Sequence, residues 1–171
     1  DVISTENGDD TVFLSLLDSN LNNRVDGGLG TDTLMIQGNS SRLVVDMNNV
    51  TNEVSGITGT TIANFEQFDL SDFSGHLNFT GTAGNDLIKL DSSSLSQQSD
   101  AVLAGNGDDT IDTNLSYLYT IRAPLGSNPI YEVDFNAIGR IDGGSGMDTL
   151  IINGVNSSLA STSIINVSSN G

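Results

Sequence analysis

Residues 27–35 read GGLGTDTLM and residues 143–151 read GGSGMDTLI. The same order of residue types recurs in graded copies at TENGDDTV (5–12), GGLGTDTL (27–34), GTAGNDLI (81–88), AGNGDDTI (104–111) and GGSGMDTL (143–150). Such a repeat governs the reading of the whole chain, because each unit is too small to bury its own apolar face and must stack on its neighbours. In every copy the fourth position is glycine (Gly8, Gly30, Gly84, Gly107, Gly146) and the sixth is aspartate (Asp10, Asp32, Asp86, Asp109, Asp148). The eighth is aliphatic (Val12, Leu34, Ile88, Ile111, Leu150), and an apolar residue stands two positions before each copy (Ile3, Val25, Phe79, Val102, Ile141). The unit is therefore a strand, a six-residue glycine turn and a second strand.

A glycine held in the fourth slot suggests positive φ, or an approach so close that a Cβ would block it. Successive carbonyls of such a turn can point inward. Carbonyls joined by a carboxylate, with no sulfur and no imidazole, make an oxygen-only site suited to calcium rather than to zinc or copper. The metal-site residues expected on this reading are Asp10, Asp32, Asp86, Asp109 and Asp148, with the turn glycines Gly8, Gly27, Gly28, Gly30, Gly81, Gly84, Gly105, Gly107, Gly143, Gly144 and Gly146. The apolar flanks of each turn lie nine residues apart, from Ile3/Val12 to Ile141/Leu150, so both strands aim a side chain into one interior.

On these residues the chain resembles the RTX nonapeptide family, the hemolysin-type calcium-binding repeat, whose pattern GGLGTDTLM and GGSGMDTLI match. The resemblance implies an all-β, right-handed parallel β-roll or β-helix, nearly free of α-helix, with the turns stacked in a column. It also implies at least two Ca2+ ions, each between the turns of successive coils. Asp10 would share an ion with Asp32, Asp86 with Asp109, and Asp109 with Asp148 if the segment between them loops out. The first two copies are 22 residues apart and the third and fourth 23, against 18 for a coil of two nonapeptides, so each pair reads as one coil with extra residues on its far edge. Asp1, Val2 and Ile3 read as the end of a preceding repeat, which makes residues 1–171 a single RTX segment of a longer protein.

The match covers about a third of the chain. Thr5 and Glu6 stand where the leading glycine pair should be, Thr82 replaces the second glycine of its copy and Ala104 the first of its own; the Glu6 carboxylate is a further ligand candidate. The 54 residues separating the second and third copies equal three 18-residue coils. Their strand-like runs 43–47 and 62–70 suit metal-free coils of the same stack, with Phe65, Phe68, Phe73 and Phe79 as core. His76 reads as a solvent-facing turn residue. Residues 112–138 break the pattern with two alternating runs around APLGSNP, and read as an inserted long hairpin or one widened coil. After Asn153, Ser, Asn and small aliphatics suggest a last coil and a linker.

Composition narrows the function. Twenty-two acidic against five basic residues give a net charge of -17, and Arg24, Arg42, Lys89, Arg122 and Arg140 are too scattered to form a basic patch. Nucleic acid and anionic lipid are therefore not expected as partners. No apolar run approaches the roughly 18 residues of a membrane span, and none inserts in a membrane on this reading. Cysteine is absent. No nucleophile–base pair or open metal site is visible, and the chain is not expected to be an enzyme. The resemblance implies a calcium-dependent structural segment of a large secreted bacterial cell-surface protein, of S-layer or adhesin type, exported by type I secretion and folding outside the cell. Its expected partners are calcium, neighbouring segments of the same long chain and other copies in a surface lattice. A calcium-folded accessory module of a secreted lipase, protease or polysaccharide-modifying enzyme is the alternative.

Overall fold

The computed structural model describes residues 1–16, 23–91, 95, 99–114, 119–122, 130–133, 140–153 and 163–168. In chain order the strands are β1 (Val2–Ser4), β2 (Thr11–Ser15), β3 (Arg24–Asp26), β4 (Thr33–Asp46), β5 (Val54–Ser55), β6 (Thr61–Ala63), β7 (Gln67–Leu70) and β8 (Phe73–Thr80). They continue with β9 (Leu87–Asp91), β10 (Ala101–Leu103), β11 (Thr110–Asn114), β12 (Tyr119–Arg122), β13 (Ile130–Val133), β14 (Arg140–Asp142), β15 (Met147–Asn153) and β16 (Ser163–Ser168). The described chain is all-β and its strands pair mostly in parallel.

The strands that follow a turn stack as β2, β4, β7, β9, β11 and β15, every pair parallel. Their register brings Val12, Leu34, Phe68, Ile88, Ile111 and Leu150 into one row, so the eighth repeat position is a single line of side chains. The strands that precede a turn form the opposite wall in two runs. β1, β3 and β6 align Ile3, Val25 and Ile62, while the second half of β4 with β8, β10 and β14 aligns Val45, Phe79, Val102 and Ile141. The period-two alternation of these strands puts one face of each wall inward. Between the walls Val25, Leu34, Val45, Phe68, Phe79, Ile88 and Val102 are buried, and the Phe68 and Phe79 rings meet edge to face at 5.5 Å across the interior. Each such side chain contributes about 1.5–3 kcal/mol by leaving water. Parallel strands curled around a shared apolar interior are consistent with a β-roll or β-helix.

Three expectations change. The 54 residues between the second and third copies supply two steps of the column, Leu34 to Phe68 and Phe68 to Ile88, instead of three coils. The surplus goes into the fourteen-residue β4, which serves both walls around an irregularity between Ser40 and Leu43, and into residues 47–60, where β5 pairs antiparallel with β4. His76 lies within β8, not in a turn, and its Nδ1 sits 3.2 Å from Oδ1 of the buried Asp100. β16 pairs antiparallel with β15, so residues 163–168 do not add another parallel strand to the column.

The four aromatic residues expected in the core, Phe65, Phe68, Phe73 and Phe79, are all buried. Within 112–138, β12 and β13 pair antiparallel with Tyr119 opposite Val133 and Ile121 opposite Tyr131. The APLGSNP stretch, Leu115, Tyr117 and Phe135 lie outside the described residues, as do residues 154–162 and 169–171.

A candidate metal centre along the turn column

Because the flanking strands are in register, the turns between them stack as well. The Gly8 amide donates to the Leu29 carbonyl (2.9 Å) and the Leu29 amide to Glu6 (2.8 Å). In the later coils the Gly107 amide donates to Ser145 (2.9 Å) and the Ser145 amide to Gly105 (3.0 Å). This contact explains the glycines. Gly28 and Gly30 have φ of 92° and 149°, and a Cβ on either would strike the carbonyl oxygen of Glu6 or Gly8 in the coil before. Gly105 and Gly107 meet the carbonyls of Thr82 and Gly84 in the same way, and Gly144 and Gly146 those of Gly105 and Gly107. Gly8 and Gly84 depart from the rule: the nearest atoms to a Cβ there are Asp10 Oδ2 at 3.8 Å and Thr82 Oγ1 at 3.6 Å, ordinary contacts, and Gly8 is explained by its φ of 124° alone.

The first-slot glycines add a second task, which the sequence pattern did not reveal, although Gly27 and Gly81 also lie against a carbonyl of the next coil, that of Asn64 or Ala104. At Gly27, Gly81 and Gly143 the volume of a Cβ adjoins the carboxylate of the same turn, that of Asp32, Asp86 or Asp148. Absence of a side chain there leaves room for the aspartate to fold back under its own turn.

The sixth-slot aspartates form a ladder. The Asp10 amide donates to Asp32 Oδ1 (2.9 Å), the Asp86 amide to Asp109 Oδ1 (2.9 Å) and the Asp109 amide to Asp148 Oδ1 (3.1 Å). The pairs expected from the repeats, Asp10 with Asp32, Asp86 with Asp109 and Asp109 with Asp148, are thus neighbours. A fourth rung was missed: the Asp32 amide donates to Glu66 Oε2 (2.8 Å). Glu66 occupies the sixth slot of the third coil, two residues before Phe68, but its turn carries no glycine, so the repeat pattern passes over it. Glu6 is exposed at φ 67°, and it contributes to the stack through its backbone.

The fifth slot builds a second ladder in the opposite direction. The Thr31 amide donates to Asp9 Oδ1 (2.9 Å), the Asp108 amide to Asn85 Oδ1 (2.8 Å) and the Met147 amide to Asp108 Oδ1 (2.8 Å).

The other carboxylate oxygens decide what the column can do. Asp32, Asp86, Asp109 and Asp148 are buried, and Oδ2 of Asp10, Asp32 and Asp109 has no hydrogen-bond partner. Burying an ionised carboxylate without a partner costs several kcal/mol. The ion pairs of Arg24 with Asp26, Lys89 with Asp69 and Arg140 with Asp142 engage those cations elsewhere. Burial pushes the Asp109 carboxyl up to about 6, against the Asp86 amide that holds it down, and the negative charges of Asp86, Asp148 and Asp108 add to the rise. Burial raises Asp86 too, opposed by hydrogen bonds from Thr82.

Among the described residues no three His, Asp or Glu side chains converge as a metal cage. Carboxylates reach the column as neighbouring pairs, so backbone carbonyls would supply most of the donors to any ion. An all-oxygen set of carboxylates and carbonyls, with buried oxygens left open, fits a hard cation such as Ca2+. Compared with known proteins, the chain matches no family model, no curated protein and no solved structure.

Proposed function

We propose that this chain is a calcium-dependent structural segment of a large secreted cell-surface protein, and that calcium binding along the turn column switches it from a flexible chain to a stiff rod. The observation that carries the reading is the set of buried, partnerless Oδ2 atoms of Asp10, Asp32 and Asp109 beside stacked glycine turns. Asp10, Asp32, Asp86, Asp109 and Asp148 would hold the ions together with turn carbonyls. Bound calcium supplies the positive charge that these buried carboxylates lack.

The rest follows from the chain itself. Closing one coil on the next brings acidic side chains into a poorly solvated edge, and with a formal charge of -17 the whole molecule resists compaction. Without a counter-charge, the stacking that buries the apolar rows also buries the repulsion. A site filled at a hundred times its dissociation constant adds about 2.7 kcal/mol, and a few such sites rival the whole stability of an ordinary domain. Weak extracellular calcium modules bind near 10⁻⁴ to 10⁻³ M, roughly the range that separates the outside of a cell from its interior. A surface-layer or adhesin role fits a stacked chain in which the abundant aspartates are engaged in turns rather than in a catalytic cleft.

The test is a calcium titration of the chelated chain, followed by circular dichroism and protease resistance. A cooperative gain of β signal and of resistance is expected. A chain already folded and resistant in excess chelator refutes the switch.

A further inference from the structure

We propose that the junction between the turn 27–32 and the glycine-free turn Asn64–Glu66 is an additional calcium site, formed by Asp32 Oδ2, the Asn64 carbonyl and the Glu66 carboxylate. This rests on the calcium reading of the column and extends it to a coil that the repeat pattern leaves out.

The register places the short turn. Val25 pairs with Ile62 and Asp26 with Ala63, so Asn64 stands opposite Gly27; Leu34 pairs with Phe68, so Glu66 stands opposite Asp32. Six residues of the glycine turn therefore correspond to three here. Asn64 takes the first slot at φ 62°, Glu66 takes the sixth, and Phe65 between them turns into the core. The stacking bond survives this shortening, because the Asp32 amide donates to Glu66 Oε2 (2.8 Å) as the Asp10 amide does to Asp32. Glutamate has one more methylene than aspartate, which gives the shorter turn the reach it needs.

Direction is the second point. Asp32 is fully buried and its Oδ2 is partnerless. The point where a Cβ of Gly27 would sit lies 3.0 Å from Asp32 Oδ2 and directly against the Asn64 carbonyl oxygen. The missing side chain of Gly27 thus lets Asp32 Oδ2 and a carbonyl of the third coil approach the same point. Gly81 is placed alike, against Asp86 Oδ2 and the Ala104 carbonyl, in a pair of full repeats. The nearby Asp26 carboxylate is engaged elsewhere, by Arg24 (3.0 Å), the Asn64 amide side chain (2.7 Å) and the Gly28 amide (3.2 Å). Glu53 accepts the Asn64 and Phe65 amides (2.8 and 3.1 Å), which holds the short turn in shape from its other side. Two carboxylates and a carbonyl make a hard-oxygen start that water can complete to calcium's six to eight ligands.

The experiment counts calcium ions on the full chain by native mass spectrometry and isothermal titration, in the wild type, Asp10→Asn, Glu66→Gln and the double variant. Gln keeps an acceptor for the Asp32 amide and removes the charge. Each single substitution is expected to lose one ion and the double variant two, because Asp32 then serves a different ion on each side. If Asp10→Asn loses one ion and Glu66→Gln none, or if the double variant loses only one, this site is overturned while the calcium reading stands. A wild type that binds no calcium overturns both. Should Glu66→Gln fail to reach the wild-type β signal in saturating calcium, Glu66→Asp is counted instead; it keeps the charge and withdraws it by one methylene. An affinity at least tenfold weaker for one ion supports the site, and an unchanged profile removes it.

Discussion

The turns 27–32 and 81–86 place an aspartate in the same slot of the same column and treat its carboxylate in opposite ways. Asp32 receives the Asp10 amide on Oδ1 and nothing on Oδ2. Asp86 receives the Thr82 amide on Oδ2 (2.6 Å) and the Thr82 hydroxyl on Oδ1 (2.9 Å). The difference begins one side chain away, in the second slot. Where Gly28 stands, the amide donates to Asp26 instead; Thr82, followed by none of the glycine-pair geometry, turns both its donors onto the aspartate of its own turn. On the calcium reading, the second slot would set how strongly a turn needs a cation, although the aspartate is the residue that would bind it. Thr82 acts as an internal partner that holds the 81–86 turn in shape.

The largest expected effect lies where no such partner exists and one residue links two neighbours, through its carboxylate on one side and its amide on the other. Asp109 accepts the Asp86 amide, donates its own amide to Asp148, and leaves Oδ2 open. Asp109→Ala should therefore lose roughly 3 kcal/mol or more of stability in saturating calcium, about the contribution of one well-filled site or more. In chelator the loss should be far smaller, since the variant also removes a buried charge. Asp86→Ala should show a smaller calcium-dependent difference. Denaturant melts of both variants with and without calcium decide it, and equal losses in the two conditions would break the contrast between orphaned and satisfied aspartates.

A second contrast sets the glycine turns against the short turn that Glu53 caps. Burial pushes the Glu53 carboxyl from 4.5 up to about 7, opposed by the Phe65 and Asn64 amides and aided by the negative charges of Glu66 and Asp26. Between those two values the folded chain keeps a proton that the unfolded chain has released. The stabilisation is complete below about 4.5 and is lost as pH rises through 7. In chelator, stability should fall between pH 5 and pH 8, with Glu53 contributing on the order of 2–3 kcal/mol at a full titration. Glu53→Gln should flatten that slope and raise stability at pH 8. A variant with the wild-type slope would show that the capping carboxylate is not the titrating group.

How far the sequence disclosed this arrangement depends on which interaction leaves a periodic trace. The apolar rows were legible, since Ile3/Val25, Phe79/Val102/Ile141, Val12/Leu34 and Ile88/Ile111/Leu150 pair as their spacing requires. The aspartate pairs were legible for the same reason: a fixed slot in a stacked unit must face itself. Glu66 was not, because its turn is three residues shorter and lacks the glycines that mark the others, and the clue was the Glu-x-Phe spacing to the apolar row. The course of residues 35–80 was equally hidden. A chain length divisible by 18 is also satisfied by one long bent strand and an excursion, and sequence spacing cannot distinguish them. The role of Thr82 is a side-chain hydrogen bond within one turn, which has no period at all.

That role gives the third test. Thr82→Gly restores the repeat pattern and frees Asp86 Oδ1 from the hydroxyl, while the amide of residue 82 still donates to Oδ2. The metal-free chain should lose about 1.5 kcal/mol, the lower end of the worth of one hydrogen bond to a charged group. Calcium affinity at the 81–86 and 104–109 turns should rise severalfold, because the ion no longer competes with Thr82. Isothermal titration of the variant reads both the count and the affinity. An unchanged affinity would mean that Thr82 and the ion use different lone pairs of Asp86, and the second slot would lose its importance.

The smallest effect separates two kinds of open oxygen. Thr113 Oγ1 is buried without a partner, like the Asp32 carboxylate oxygen, but Thr113 lies in β11 opposite Leu90 and is fully shielded within the apolar wall. It stands among strand residues, paired with Leu90 and Ile152 and away from the glycine turns, so its hydroxyl only costs desolvation. Thr113→Val keeps the branched shape that suits a strand and removes the hydroxyl. It should stabilise the chain by about 1 kcal/mol, the lower end of the penalty for an unsatisfied buried group. The gain should be equal in calcium and in chelator, and that equality is the informative part. An open oxygen on the turn column should respond to calcium, as Asp109 is expected to, whereas one inside the wall should not. A Thr113→Val gain that appears only in calcium would mean that the wall is packed tightly only when the column is filled, and that the two regions fold as one unit.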